Sequence, residues 1–126
     1  MRSNVFPEMK KYSALSIVAP GGDLIRAGKK TLEVRKWQPD TIPLKDLLIV
    51  QNSVRLSRSG MADDPNGTAV ALVDIEAVSE WREVDIEESC DSCWEPGWLA
   101  WKITNVRPFD CDISVPAKLR IYQVDI

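Results

Sequence analysis

The chain breaks into short runs of strand length separated by Pro and Gly, and this punctuation is the tightest constraint on its fold. Ala14-Leu15-Ser16-Ile17-Val18 stops at Pro20-Gly21-Gly22, Thr31 to Trp37 alternates polar with apolar residues, and Leu47-Leu48-Ile49-Val50 is an uninterrupted apolar run. Ala69 to Val78, Trp98 to Val106 and Lys118 to Val124 complete the set; Asp64-Pro65-Asn66-Gly67 reads as a turn, and Pro108 and Pro116 punctuate the last gap. Runs of this kind between turn residues read as strands. Helical signals are brief: Asp23 as N-cap for Leu24 to Ala27, Gly28 as the left-handed stop, and one turn near Asp85–Ser89. Five or six short strands with one to three short helices predict an α+β domain, built as a curled mixed sheet or small β-barrel. One such domain accounts for 126 residues, with a lead-in over 1–12 and a single domain over 13–126.

Composition then removes chemistries. The chain has no histidine, which excludes Ser-His-Asp and Cys-His catalysis and His-ligated zinc. Its three cysteines, Cys90, Cys93 and Cys111, are too sparse for a disulfide framework. Cys90-Asp91-Ser92-Cys93 offers a metal only two thiols, and its acidic neighbours disfavour the thiolate of a redox site. No metal or cofactor is therefore expected. No apolar run approaches the roughly 18 residues of a membrane span, and Met1–Lys11 has no signal-peptide core, so the expected setting is cytoplasmic. Net charge is −3, but it is divided: residues 1–58 hold 11 Lys/Arg and 5 Asp/Glu, residues 59–126 hold 5 and 14. A basic half inside an acidic chain can focus a field on an anion at one cleft.

The candidate cleft residues lie in Gly28-Lys29-Lys30-Thr31-Leu32-Glu33-Val34-Arg35-Lys36-Trp37. A helix end presents Lys29 and Lys30, and the next strand presents an acid, a guanidinium and an indole at every second position. Side chains two apart on a strand share a face at about 6.5–7 Å spacing, so Glu33, Arg35 and Trp37 can line one groove. Lys30 and Arg35 suit phosphate, Trp37 suits stacking on a base, and Glu33 suits an exocyclic amine. The plainer reading is a surface ion pair between Glu33 and Arg35 with Trp37 packed at an edge. Asn52 and Ser53, at the end of the apolar run, complete the candidate binding set, and Arg55 and Arg58 can extend a phosphate path. Trp81, Trp94, Trp98 and Trp101 are read mainly as core or lid packing.

Leu15-Ser16-Ile17 with Pro20, then Leu24-Ile25-x-Ala27-Gly28-x-Lys30-Thr31-x-Glu33-x-Arg35-x-Trp37, resembles the signature of ASCH domains (activating signal cointegrator-1 homology), of the PUA-like superfamily. Trp98, Ile103, Asn105-Val106-Arg107-Pro108-Phe109, Val115-Pro116 and Lys118 to Val124 are similar to the family's closing strands. The resemblance implies a five- or six-stranded barrel with a cleft beside the G-x-K-x-x-E-x-R strand. It implies RNA or nucleoside binding; the small basic patch and negative total charge argue separately against double-stranded DNA as a partner. One branch hydrolyses the acetyl amide of N4-acetylcytidine with a lysine, a threonine and a glutamate; other members are reported ribonucleases. The branch's lysine falls on Lys30 and its threonine on Glu33, so this position departs; its glutamate is expected within Glu80–Glu95. On the alternative reading, an amidohydrolase or ribonuclease, Lys30 and Glu33 would be catalytic. A second departure, Gly21-Gly22 in place of an aromatic, is expected to loosen one wall of the cleft.

Overall fold

In the computed structural model, which describes residues 10–126, the order is β1 (Lys11–Val18), α1 (Gly21–Arg26), β2 (Leu32–Arg35), β3 (Leu44–Asn52), β4 (Asp63–Glu80), a 3₁₀ turn (Glu83–Asp85), α2 (Ile86–Ser89), β5 (Leu99–Lys118) and β6 (Ile121–Asp125). Of the lead-in expected over 1–12, residues 1–9 lie outside the described residues; Lys11 and Tyr12 already belong to β1. No helix among the described residues is long and apolar enough to cross a membrane.

The apolar run marks the middle of the sheet. Leu47 and Ile49 enter one core cluster with Leu15, Ile17, Val73 and Trp101, while Leu48 and Val50 enter a second with Ala14, Ala69 and Val115. Successive strand residues point to opposite faces, so a run without a polar break needs cover on both. Each such side chain contributes about 1.5–3 kcal/mol by leaving water. The strand order β2-β5-β4-β3-β1-β6 supplies that cover, with β1–β3 parallel and the other ladders antiparallel.

The sheet curls far enough for its two ends to approach. Arg35 on β2 donates from Nη2 to the Ser16 carbonyl of β1, 2.9 Å away, although three strands lie between them in the order. Among the described residues no ladder joins β2 to β6. The expected small mixed barrel is therefore present as a curled six-stranded sheet with an open seam.

Several turn signals are absorbed into long strands. β4 and β5 pair from Asp63↔Lys118 to Glu80↔Leu99 with four register shifts. Such bulges bend and twist a strand, and they are where sheets tolerate proline. Pro108 sits opposite Ala71 at one shift, and Pro116 falls within another. Asp64-Pro65-Asn66-Gly67 is thus a bulge inside β4 rather than a turn: Asp64 Oδ1 accepts the Asn66 N–H at 2.9 Å. Gly67 is required there, because a Cβ would lie 2.5 Å from the Val115 carbonyl oxygen.

Asp23 is likewise not the N-cap of α1. That place falls to Pro20, and Asp23 sits in the first turn, paired with Arg26 at 2.8 Å. Gly28 does take the expected left-handed conformation, at φ +77°. The backbone at Gly22 is closely packed: a Cβ there would lie 2.9 Å from Gln51 Cβ.

Away from the seam, three strands are pinned by one carboxylate. Asp74 of β4 accepts the Asp46 N–H of β3 at 3.0 Å, the Asn105 amide of β5 at 3.1 Å and Arg107 Nη2 at 2.7 Å. Asp46 (φ +56°) and Asn105 (φ +52°) are left-handed, a conformation that Asp and Asn tolerate best among side-chain-bearing residues. The Asp46 backbone hydrogen bond leads in holding the Asp74 carboxyl below its ordinary range; Asn105, Arg107 and Lys45 help, against its burial.

Candidate functional site

The open seam is a cleft of about 500 Å³, within the roughly 300–1,000 Å³ typical of small-molecule sites. The end of β1 with Ala19-Pro20-Gly21 lines it, as do Lys30 and β2 with Lys36 and Trp37, and Lys118, Leu119 and Arg120 from the end of β5 and its turn into β6. The seam arises because β6 stops pairing with β1 at Leu15↔Ile121. Beyond that point the Ser16 carbonyl meets Arg35 instead of another strand.

An ion triad lies along β2. Gly28 stops α1 and turns the chain so that Lys30 points inward; its side chain is 9% exposed. Nζ donates to the Ser89 carbonyl of α2 at 2.6 Å and lies 3.4 Å from Glu33 Oε1. Glu33, 7% exposed at its side chain, accepts Arg35 Nε on Oε2 at 2.6 Å. Glu33 and Arg35 thus share the cleft face of β2 as the alternation predicts. The plainer expectation of a surface ion pair fails at Glu33, which is buried. An ammonium has three donors and a guanidinium five. Lys30 and Arg35 therefore keep donors beyond those used on Glu33, Ser89 and Ser16.

Trp37 reaches the cleft by a different route. β2 ends at Arg35 and the chain bends, so Lys36 and Trp37 both line the cleft. Trp37 stands edge-on against Trp101, ring centroids 5.0 Å apart and planes at 84°. Its carbonyl accepts Trp101 Nε1 at 3.0 Å. The Arg120 guanidinium carbon lies 4.1 Å from the Trp37 ring centroid, and Lys36 Nζ lies 4.9 Å from that of Trp98.

The remaining expected residues divide. Asn52 lines the cleft but is buried, and its amide donates to the Val54 carbonyl and to Asp64 Oδ2. Lys29 and Ser53 are exposed and lie outside the lining. Arg55 lines it, and Arg58 does not. From Glu80–Glu95 the cleft receives Cys90 and Asp91 but no glutamate. Cys90, Cys93 and Cys111 are free, exposed thiols. Trp81 and Trp101 are core, whereas Trp98 lines the cleft. Sequence reasoning missed Lys36, Lys118 and Arg120 as lining residues; the last two lie more than 80 positions from β2, and no local spacing connects them to it. Altogether six cations (Lys30, Arg35, Lys36, Arg55, Lys118, Arg120) face two acids (Glu33, Asp91).

A curled six-stranded α+β domain with a basic, indole-bearing cleft at its seam is the class these features define. The sequence model of the ASCH domain family matches residues 15–111, and the chain belongs to that family. Two solved structures of ZmASCH from Zymomonas mobilis are similar to it. A serine-to-alanine variant is 15% identical over 90% of this chain and 92% of its own, with a TM-score of 0.50. A tyrosine-to-phenylalanine variant is 14% identical over 88% and 91%, with a TM-score of 0.49. At such identity the likeness to the first is one of fold. No curated protein matches the chain.

Proposed function

We propose that this domain binds a nucleotide or a short single-stranded RNA in the seam cleft. The observation that carries the reading is the cleft's charge: six cations against two acids in a chain of net charge −3. Phosphate suits Arg and Lys there, and Trp37 and Trp98 suit stacking of a base. Val18, Val54 and Leu56 add apolar surface for sugar or base. The small cleft and negative total charge favour a nucleotide-scale ligand over double-stranded DNA. No metal or cofactor is called for, and free thiols accord with a cytoplasmic setting.

Titration of short single-stranded RNA and of mononucleotides at low salt tests this. Binding is expected to weaken with log[salt] at a slope of about 0.7 per phosphate contacted. Failure of both to bind at low salt overturns the reading.

One observation bears on hydrolysis of N4-acetylcytidine or RNA: the Lys30 ammonium at the cleft floor can polarise a carbonyl or phosphoryl oxygen. Both Glu33 oxygens, however, are engaged by cations, so taking a proton from water would cost one of those contacts. Binding is the better-supported activity. Chromatography after incubation should return N4-acetylcytidine and RNA oligomers unchanged; cytidine or shortened RNA would make the site catalytic.

A further inference from the structure

We propose that Arg120 makes the cleft selective for phosphorylated ligands, exchanging its stack on Trp37 for the ligand's phosphate. The inference rests on the nucleotide-binding reading and adds to it a residue and a ligand class.

Trp37 is a fixed platform. Its ring meets fully buried Trp101 edge-on, and its carbonyl holds the Trp101 indole N–H. Moving it would disturb the core. Arg120 is the opposite. It is exposed, in the two-residue turn between β5 and β6, at φ +59°. Among the described residues its side chain makes no ion pair or hydrogen bond; its contact is the Trp37 ring, 4.1 Å away. A planar guanidinium at that distance occupies the face a nucleobase would use.

A ligand that stacks on Trp37 must therefore displace the guanidinium, and what the cation gains afterwards decides which ligands bind. A neutral nucleoside gives it nothing in exchange for the lost π face. A phosphate beside the same base gives it a two-point, charge-assisted contact. Lys118, two residues before Arg120 and also in the cleft lining, would reinforce the phosphate as a point charge. Lys36 over Trp98 repeats the cation–ring arrangement, but an ammonium lacks the planar two-point geometry.

The test titrates wild type, Arg120→Asn and Arg120→Lys with the four ribonucleosides and their 5′-monophosphates. Asn is chosen because it tolerates the left-handed backbone, and unchanged thermal melting verifies that each variant folds. Wild type is expected to bind monophosphates about tenfold or more tighter than nucleosides, the scale of a hydrogen bond between charged groups. Arg120→Asn should erase that preference by weakening monophosphates about tenfold while leaving nucleosides equal or tighter. Arg120→Lys should fall between. Equal weakening of both ligand types, or an unchanged preference, overturns the proposal. Nucleoside binding by wild type without phosphate preference also overturns it while leaving the cleft reading intact. Binding of neither ligand type removes both.

Discussion

Glu33 and Asp74 are near-equivalent groups put to different use. Each is a carboxylate 7% exposed at its side chain, and each has an arginine and a lysine: Arg35 at 2.6 Å and Lys30 at 3.4 Å for Glu33, Arg107 at 2.7 Å and Lys45 at 3.7 Å for Asp74. The difference is the rest of the shell. Asp74 also accepts a backbone N–H and a side-chain amide from the strands on either side, so its hydrogen-bonding capacity goes into joining β3, β4 and β5. The cations on Glu33 instead line the seam with donors to spare. A buried carboxylate acts as a staple where neighbours complete its shell; where they do not, its cations keep donors for the proposed ligand.

The comparison breaks most visibly at Asp74. Asp74→Ala leaves Arg107 with a broken partner set and should cost roughly 3–5 kcal/mol, or about 10–20 °C in Tm, by calorimetry. Nucleotide affinity at a temperature where the variant is folded should not change. Arg35→Ala should reverse the pattern: about a tenfold loss of nucleotide affinity, with only about 1–2 kcal/mol of stability lost, because Lys30 still neutralises Glu33. Equal losses of affinity in both variants would erase the distinction.

Acid sharpens it further. The Asp74 carboxyl is lowered in the native protein from 3.8, so its contribution is fully present above that value and vanishes as pH falls through the native one. The stability gap between wild type and Asp74→Ala should therefore be widest near neutral pH and close below about pH 3.8. The smallest expected effect is that of salt. Between about 50 and 200 mM, binding at the cleft should weaken by the counterion slope, whereas the Asp74-dependent stability should change less. That carboxylate is buried and also accepts a backbone N–H and a side-chain amide, which salt does not screen as it does exposed charges. A gap in acid that persists, or a salt-insensitive cleft, would count against these assignments.

Much of this was legible in the sequence, for local reasons. Leu47–Val50 announced a doubly covered strand, Gly28 its left-handed stop, and Glu33 and Arg35 their shared face, because periodicity and φ preference act within a few residues. The misreadings came where tertiary pairing overrode local signals. Asp64-Pro65-Asn66-Gly67 carries strong turn chemistry, yet it is held as a bulge by β5 and by the Asn52 amide. Trp37 continued the alternation on paper, but β2 had already ended. Arg120 carries no local signal at all; its place over Trp37 follows from where β6 turns back.

The cleft floor also stands at the margin of the fold. β2 is four residues long and, among the described residues, pairs with β5 alone, while its N-terminal approach is bound to α2 through Thr31 N–H to the Glu88 carbonyl and Lys30 to that of Ser89. A short peripheral ribbon has the least cooperative protection in a sheet. Its amides should be the first of the strands to exchange with deuterium, and an occupied cleft should slow them more than any others, so the ligand would act as the missing seventh stave.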